Sequence, residues 1–268
     1  MPKLLFIGDI VGKPGREVVL QKLAALRERE EIGFVVANGE NAAAGAGLTA
    51  RIAQELLDAG IDAITLGDHV WDQRGFESEI DGLERVCRPA NLPPQCPGRS
   101  HLILEKEGFR LGLFTLLGRT FVGKIQGECP FLCLDAKLRE LREQTDAVLV
   151  EIHAEATSEK IAFGYYADGR TAAVLGTHTH VTTADEAILP RGSAYITDVG
   201  MSGPHLGVLG REMQPVIARF MDGMPRKFPV AELDARLNAV LVELSPTGGF
   251  ALSIRRICER LEDADQAS

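Results

Sequence analysis

No apolar run in the 268-residue chain reaches the roughly 18 residues that a membrane span needs, and the opening MPKLLFIGDIVG turns polar too soon for a signal peptide. The expectation is a cytoplasmic protein with no membrane partner. Cysteine is scarce. Cys87, Cys96, Cys129, Cys133 and Cys258 are odd in number and scattered, which suits a reducing compartment rather than a disulfide framework. Cys129 and Cys133 are the one close pair, and without a second pair or nearby histidines they read as buried or incidental thiols. Positive charge is short too: 29 Lys and Arg stand against 38 Asp and Glu, a net charge of −9. That balance argues against a general polyanion-binding surface, which requires clustered cations.

What is present is an ordinary globular composition, 45% hydrophobic and 25% charged, long enough to bury a substantial core. The runs KLLFIGD, GFVVANGEN and DAITLGDH read as short strands. Between them, PGREVVLQKLAALREREE and TARIAQELLDAG read as helices, with Pro14 in a first turn, Thr49 as an N-cap and Gly60 as a stop. Strand and helix alternating at this pace imply parallel pairing with right-handed crossovers, hence an α/β sheet. After residue 85 strands crowd together: HLILE, FRLGLFTLLG, DAVLVEIHAE, TAAVLGTHTH, EAILP and AYITDVG, with helices expected over 131–143 and 158–167. A second sheet packed on the first is the expectation, in one domain over 1–268 whose acidic tail EDADQAS frays.

Leu5 to Arg16, LFIGDIVGKPGR, resembles a phosphate-gripping loop at first sight. It is one residue short between its glycines, and Pro14 stands where such a loop needs a hydroxyl. Asp9 instead follows the C-terminal end of a strand, the edge where open α/β sheets place ligands. The other strand ends carry a matching set: Glu40 and Asn41 in NGEN, Asp68 and His69 in GDH, His153 after AVLVEI, and His178 and His180 in GTHTH. Four of the six histidines fall at such ends. Asp, Glu, Asn and His are metal ligands, and parallel strands bring their C-terminal ends together. On an extended backbone His178 and His180 would point to one side. Asp72 reads as a helix N-cap, Trp71 as core, and Lys13 and Arg16 as solvated surface.

Taken together, GDIVGKPGR, NGENAAAGAG, GDHVWD, GTHTH and TDVGMSGP resemble the calcineurin-like metallophosphoesterases, and within them the YmdB-like branch. The resemblance implies a four-layer α/β/β/α sandwich of two mixed sheets flanked by helices. It implies two metal ions, iron or manganese with zinc as an alternative, bridged by Glu40. Asp9, Asn41 and His180 would complete one site; Asp68, His153 and His178 the other; His69 would be the general acid. The implied activity is hydrolysis of a small phosphodiester such as a 2′,3′-cyclic nucleotide or an RNA end. From the size of the chain alone, a homo-oligomer is the expectation. A phosphomonoesterase or protein phosphatase on the same scaffold, or a slow-turnover nucleotide- or RNA-binding regulator, are the alternatives. The sequence departs from the superfamily at Val11, where a histidine is usual and whose place Asn41 fills, and at Asp68, where asparagine is usual. Asp9, Glu40 and Asp68 together supply three negative charges against the four of two divalent ions. That count argues for iron(III) in one position or for a protonated Asp68.

Overall fold

In the computed structural model, which describes residues 1–261, the first apolar run becomes β1 (Lys3–Ile7), separated by Gly8 from the short β2 (Asp9–Ile10). α1 (Gly12–Glu30) follows at once, with Pro14 in its first turn, and buries Val18, Val19, Leu23 and Leu26. Then come β3 (Phe34–Asn38), α2 (Ala50–Asp58), β4 (Ala63–Thr65), α3 (Phe76–Glu79) and β5 (Val86–Cys87). Thr49 caps α2 through its hydroxyl, which accepts from the Ile52 amide at 3.3 Å. β1, β3, β4 and β5 are parallel neighbours, with Leu4 opposite Phe34 and Ile7 opposite Ala37.

The second sheet is built from β6 (Leu102–Lys106), β7 (Phe109–Leu117), β8 (Ala147–His153), β9 (Ala173–Thr177), β10 (Ala187–Ile188) and β11 (Ala194–Ile196), in the order β10-β11-β9-β8-β7-β6. Its helices α4 (Pro130–Leu141) and α5 (Thr157–Ala167) lie close to the spans read from sequence. β7, β8, β9 and β11 are parallel, and antiparallel strands close both edges, so this sheet is mixed.

The C-terminal part departs from the sequence reading. After β12 (Met201–Pro204) and α6 (Met213–Asp222), β13 (Ala235–Leu244) and β14 (Ala251–Arg260) form a long hairpin that joins the first sheet. β13 enters between β12 and β1, antiparallel to β1, with Ile7 opposite Ala239. The first sheet is therefore mixed as well, and β2 pairs with β12 at its far side.

Side chains alternate between the faces with period two. Leu4, Phe6, Phe34 and Val36 meet Leu113, Leu149 and Leu175 between the sheets. Leu5, Ile7 and Val35 face α1 and α2, while Phe114, Val150 and Val174 face α4 and α5. The layers run helix, sheet, sheet, helix, the expected sandwich. All five cysteines are free. Among the described residues no helix is long and apolar enough to cross a membrane. The acidic tail lies outside the described residues.

Candidate metal centre

The parallel strands of both sheets end at one edge of the cleft between them, and the polar set gathers there. Asp9 follows β1, Glu40 and Asn41 follow β3, and Asp68 and His69 follow β4. From the second sheet, His153 ends β8, and His178 and His180 follow β9. Among the described residues Glu40, Asp68, His153 and His178 each offer one ligand atom, all within 4.8 Å of one another. His153 Nε2 is central: Glu40 Oε1 lies 3.0 Å away, Asp68 Oδ1 3.1 Å and His178 Nδ1 3.0 Å.

The other three ligands implied by the sequence adjoin this group. His180 Nε2 is 3.2 Å from the Asn41 amide, which also reaches Glu40 Oε1 at 3.1 Å. Asn41 turns its Nδ2 to both partners; a half-turn of the amide would offer Oδ1 to a cation. His180 Nδ1 donates to the Leu209 carbonyl at 3.2 Å, which leaves Nε2 free to ligate. Asp9 Oδ2 accepts from the His178 amide at 3.2 Å, while Asp9 Oδ1 is buried with no partner among the described residues.

The two histidines of GTHTH do not share a face through an extended backbone, as their spacing suggested. β9 stops at Thr177, and His178 and His180 take φ values of 95° and 65°. That left-handed conformation is costly for residues with a Cβ and persists where the surroundings dictate it. Here it turns His178 towards His153, and His180 towards Asn41.

The charges follow from burial and neighbours. Burial pushes Asp9 up to about 7. Burial opposes the charge of Asp68 as well, yet hydrogen bonds from His153 and His178 hold it well below the usual carboxylate range. Asp68 is therefore held ionised by these two imidazoles. Burial likewise disfavours a charged His153, but attraction to Glu40 and bonds to Asp68, Glu151 and Glu40 raise it well above its ordinary value. The imidazolium is the counter-charge these carboxylates find among themselves, and a cation competes with its proton.

A metal pair fits these residues. The donors are carboxylate, amide and imidazole, and Asp9 offers a buried oxygen without a partner. A Cβ on Gly67 would overlap Glu40 Oε2 and His153 Nε2, so glycine keeps the cradle open.

Beneath these candidate ligands lies a layer the sequence reading missed. Glu151 Oε1 accepts from Thr177 Oγ1 at 2.6 Å and from Asn38 Nδ2 at 2.7 Å, and Thr177 Oγ1 stands 2.8 Å from His153 Nδ1. With its hydroxyl proton on Glu151, Thr177 accepts from His153 Nδ1–H, which fixes the tautomer and turns Nε2 inward. Asn38 Oδ1 meanwhile accepts from the Glu40 amide at 3.0 Å. The only sequence signal was a lone glutamate inside an apolar strand.

His69 borders the site: its amide donates to Glu40 Oε2 at 3.0 Å and its Nδ1 lies 2.7 Å from Asp72 Oδ2. Asp72 is no helix cap, because α3 starts only at Phe76 behind Gly75. Lys124, on the loop after β7, approaches His69 Nδ1 at 3.0 Å and also bonds Asp72 Oδ2. Arg16 is not solvated either: its guanidinium donates to the Ala42 carbonyl at 2.6 Å. Lys13 is exposed, and Trp71 packs partly buried against the core.

Known proteins resemble the chain in sequence and in fold. The chain is 44% identical over 255 residues, 95% of its own length and 96% of the other's, to the 2′,3′-cyclic-nucleotide 2′-phosphodiesterase of Bacillus subtilis. A crystal structure of a novel phosphatase from Mycoplasma pneumoniae is 33% identical, with a TM-score of 0.92 over 98% of this chain and 95% of that one. The calcineurin-like phosphoesterase YfkN of Bacillus subtilis, 12% identical with a TM-score of 0.55 over 97% of this chain and 90% of that one, shares the fold alone. The family model described as YmdB-like protein matches residues 5–257, and the chain belongs to that family.

Proposed function

We propose that this phosphoesterase is a two-metal phosphodiesterase that opens 2′,3′-cyclic nucleotides. The observation that supports the reading best is the convergence of Glu40, Asp68, His153 and His178 within 4.8 Å, with Asn41 and His180 3.2 Å apart beside them. Asp9, Asn41 and His180 would hold one ion, Asp68, His153 and His178 the other, and Glu40 would bridge. Iron and manganese suit the donor set, and zinc is compatible with it. Such a pair, when bound, neutralises the phosphoryl oxygens and activates water at neutral pH.

The chain's own residues then serve the leaving group. His69 holds a proton on Nε2, with Nδ1 directed at Asp72, and gives it to the departing ribose oxygen. Asp72 keeps the ring in that orientation, and Lys124 brings a cation to the same rim, where it can meet a phosphoryl oxygen. An RNA 3′ end that carries a 2′,3′-cyclic phosphate presents the same reacting group.

The test is hydrolysis of 2′,3′-cAMP, bis-p-nitrophenyl phosphate and p-nitrophenyl phosphate by metal-stripped protein reloaded with Mn(II), Fe(II) or Zn(II). Metal-dependent cleavage of both diesters, with little of the monoester, is the expected result. Preferential release of inorganic phosphate from the monoester would make the enzyme a phosphatase. Two bound ions with no cleavage of any ester would sink the enzymatic reading.

A further inference from the structure

Lys160, on α5, is wholly buried, and so is its partner Asp198 in the segment TDVG between β11 and β12. Lys160 Nζ donates to Asp198 Oδ2 at 2.6 Å and to the Thr177 carbonyl at 2.6 Å. Among the described residues, neither side chain hydrogen-bonds to the side chain of a proposed metal ligand. Buried ion pairs give up hydration on both charges, and apolar side chains of like volume often serve stability as well. Packing alone therefore does not account for this one.

What the pair grips does account for it. Asp198 Oδ2 also accepts from the Thr179 amide at 3.0 Å and from its hydroxyl at 2.7 Å, while Asp198 Oδ1 accepts from the Gly200 amide at 2.8 Å. Thr179 is the residue between His178 and His180, the two histidines with positive φ. The turn is thus held at the Thr177 carbonyl by Lys160 and at Thr179 by Asp198. Strained backbone persists only where its surroundings over-determine it, and these bonds are that over-determination.

We propose that Lys160 and Asp198 form a positioning clamp that holds the Thr177–His180 turn in its left-handed shape and so fixes both histidines for the metal pair. The inference rests on the metal-centre reading above. The charges are needed because a lysine ammonium and a carboxylate bind backbone groups more strongly than neutral side chains do. Loss of either charge should let the turn relax towards ordinary φ values and swing His178 and His180 out of register.

The experiment is a Mn(II) titration, by calorimetry and by the electron paramagnetic resonance of the coupled ion pair, on wild type, Lys160→Met and Asp198→Asn. Val150→Ala, an outer-core truncation on β8, is the control for general destabilisation. We expect both clamp variants to keep wild-type circular dichroism, to lose about 10- to 100-fold in Mn(II) affinity and to lose the coupled signal. Val150→Ala should lose thermal stability alone. Wild-type affinity and coupling in either folded clamp variant would overturn the inference. Should both variants fail to fold, Thr179→Val, which removes one hydroxyl donor to Asp198, decides: a several-fold fall in affinity supports the clamp, and no change overturns it. Absence of Mn(II) binding by the wild type would instead overturn the metal reading and, with it, the clamp.

Discussion

His69 Nδ1 lies 2.7 Å from Asp72 Oδ2, and the two residues belong to one turn in which the Asp72 amide donates to the His69 carbonyl at 3.1 Å. A carboxylate on Nδ1 leaves Nε2 as the nitrogen that exchanges a proton with substrate. His69→Gln should therefore lower kcat on 2′,3′-cAMP by ~10²–10⁴-fold. The loss on bis-p-nitrophenyl phosphate should be far smaller, because its phenolate departs without a proton. Equal losses on the two esters would rule out the acid role. Asp72→Asn should show the same contrast, reduced to about 10-fold, with KM little changed.

Lys124 carries a separate expectation. It reaches His69 and Asp72 from a loop of the second sheet and, among the described residues, makes no hydrogen bond to the proposed ligand set. A cation placed at the rim binds a phosphoryl oxygen in ground state and transition state alike, so Lys124→Ala should raise KM several-fold and leave kcat within about 2-fold. Steady-state kinetics on 2′,3′-cAMP separates the two. A fall in kcat with constant KM would place Lys124 in the chemical step.

The Thr177 hydroxyl links His153, a ligand in the proposed centre, to Glu151, and its removal tests whether ring orientation matters for metal binding. Thr177→Val preserves volume, but leaves His153 Nδ1 without its 2.8 Å partner and Glu151 Oε1 with Asn38 alone. An unsatisfied buried group costs about 1–3 kcal/mol of stability. Metal affinity should fall about 10- to 100-fold, as it does when an imidazole loses its outer partner. Urea denaturation and Mn(II) titration measure the two effects. Unchanged affinity would show that packing alone orients the ring.

The residues that converge at the site were legible in sequence and their support was not, for one physical reason. A strand that ends in a polar residue announces itself locally, so Asp9, Glu40, Asp68 and His153 could be read from short runs. Glu151 sits two residues before His153, and only the stacking of the sheets shows that odd positions of β8 face the cleft. Asp72 looked like a cap because a helix was expected directly after it. Lys124 and Asp198 act across 55 and 38 residues, on His69 and Lys160 respectively, and such pairings leave no trace in spacing. The hairpin of β13 and β14 escaped for the same cause: its register against β1 joins Ile7 to Ala239. The left-handed turn at His178 and His180 contains no glycine, the residue that would have signalled it.

His205 sets an acid limit on stability. Burial holds it below its ordinary 6.5. Its Nδ1 donates to the Gly203 carbonyl at 2.8 Å and its Nε2 accepts from Asn238 at 3.0 Å, a pairing that needs the neutral ring. The folded value lies below the unfolded one, so this contribution is present above about pH 6.5 and is lost as pH falls through the folded value. His205 is half-buried, and solvent screening keeps the effect to about 1 kcal/mol or less. Denaturant unfolding at pH 7.5 and 5.5 should show a smaller loss for His205→Gln than for wild type. Identical losses would assign the acid sensitivity to other groups.

Gly67 offers the sharpest steric test of the cradle. Its position on the loop after β4 brings the missing Cβ against Glu40 Oε2 and His153 Nε2, two atoms that in the proposed centre must converge on cations. Gly67→Ala places a methyl group among them, and neither side chain can retreat, because Glu40 is 1% and His153 0% exposed. Overpacking of this kind costs about 1–3 kcal/mol, to be read from denaturant unfolding. Elemental analysis of the purified variant should find fewer than two ions per chain, and turnover of 2′,3′-cAMP should fall in proportion to the missing metal. Gly75→Ala is the companion variant: a Cβ there meets nothing within 4 Å, although its φ of +87° strains the backbone. Gly75→Ala should lose stability and keep its metal, whereas full metal content in Gly67→Ala would mean that the ions sit elsewhere than between Glu40 and His153.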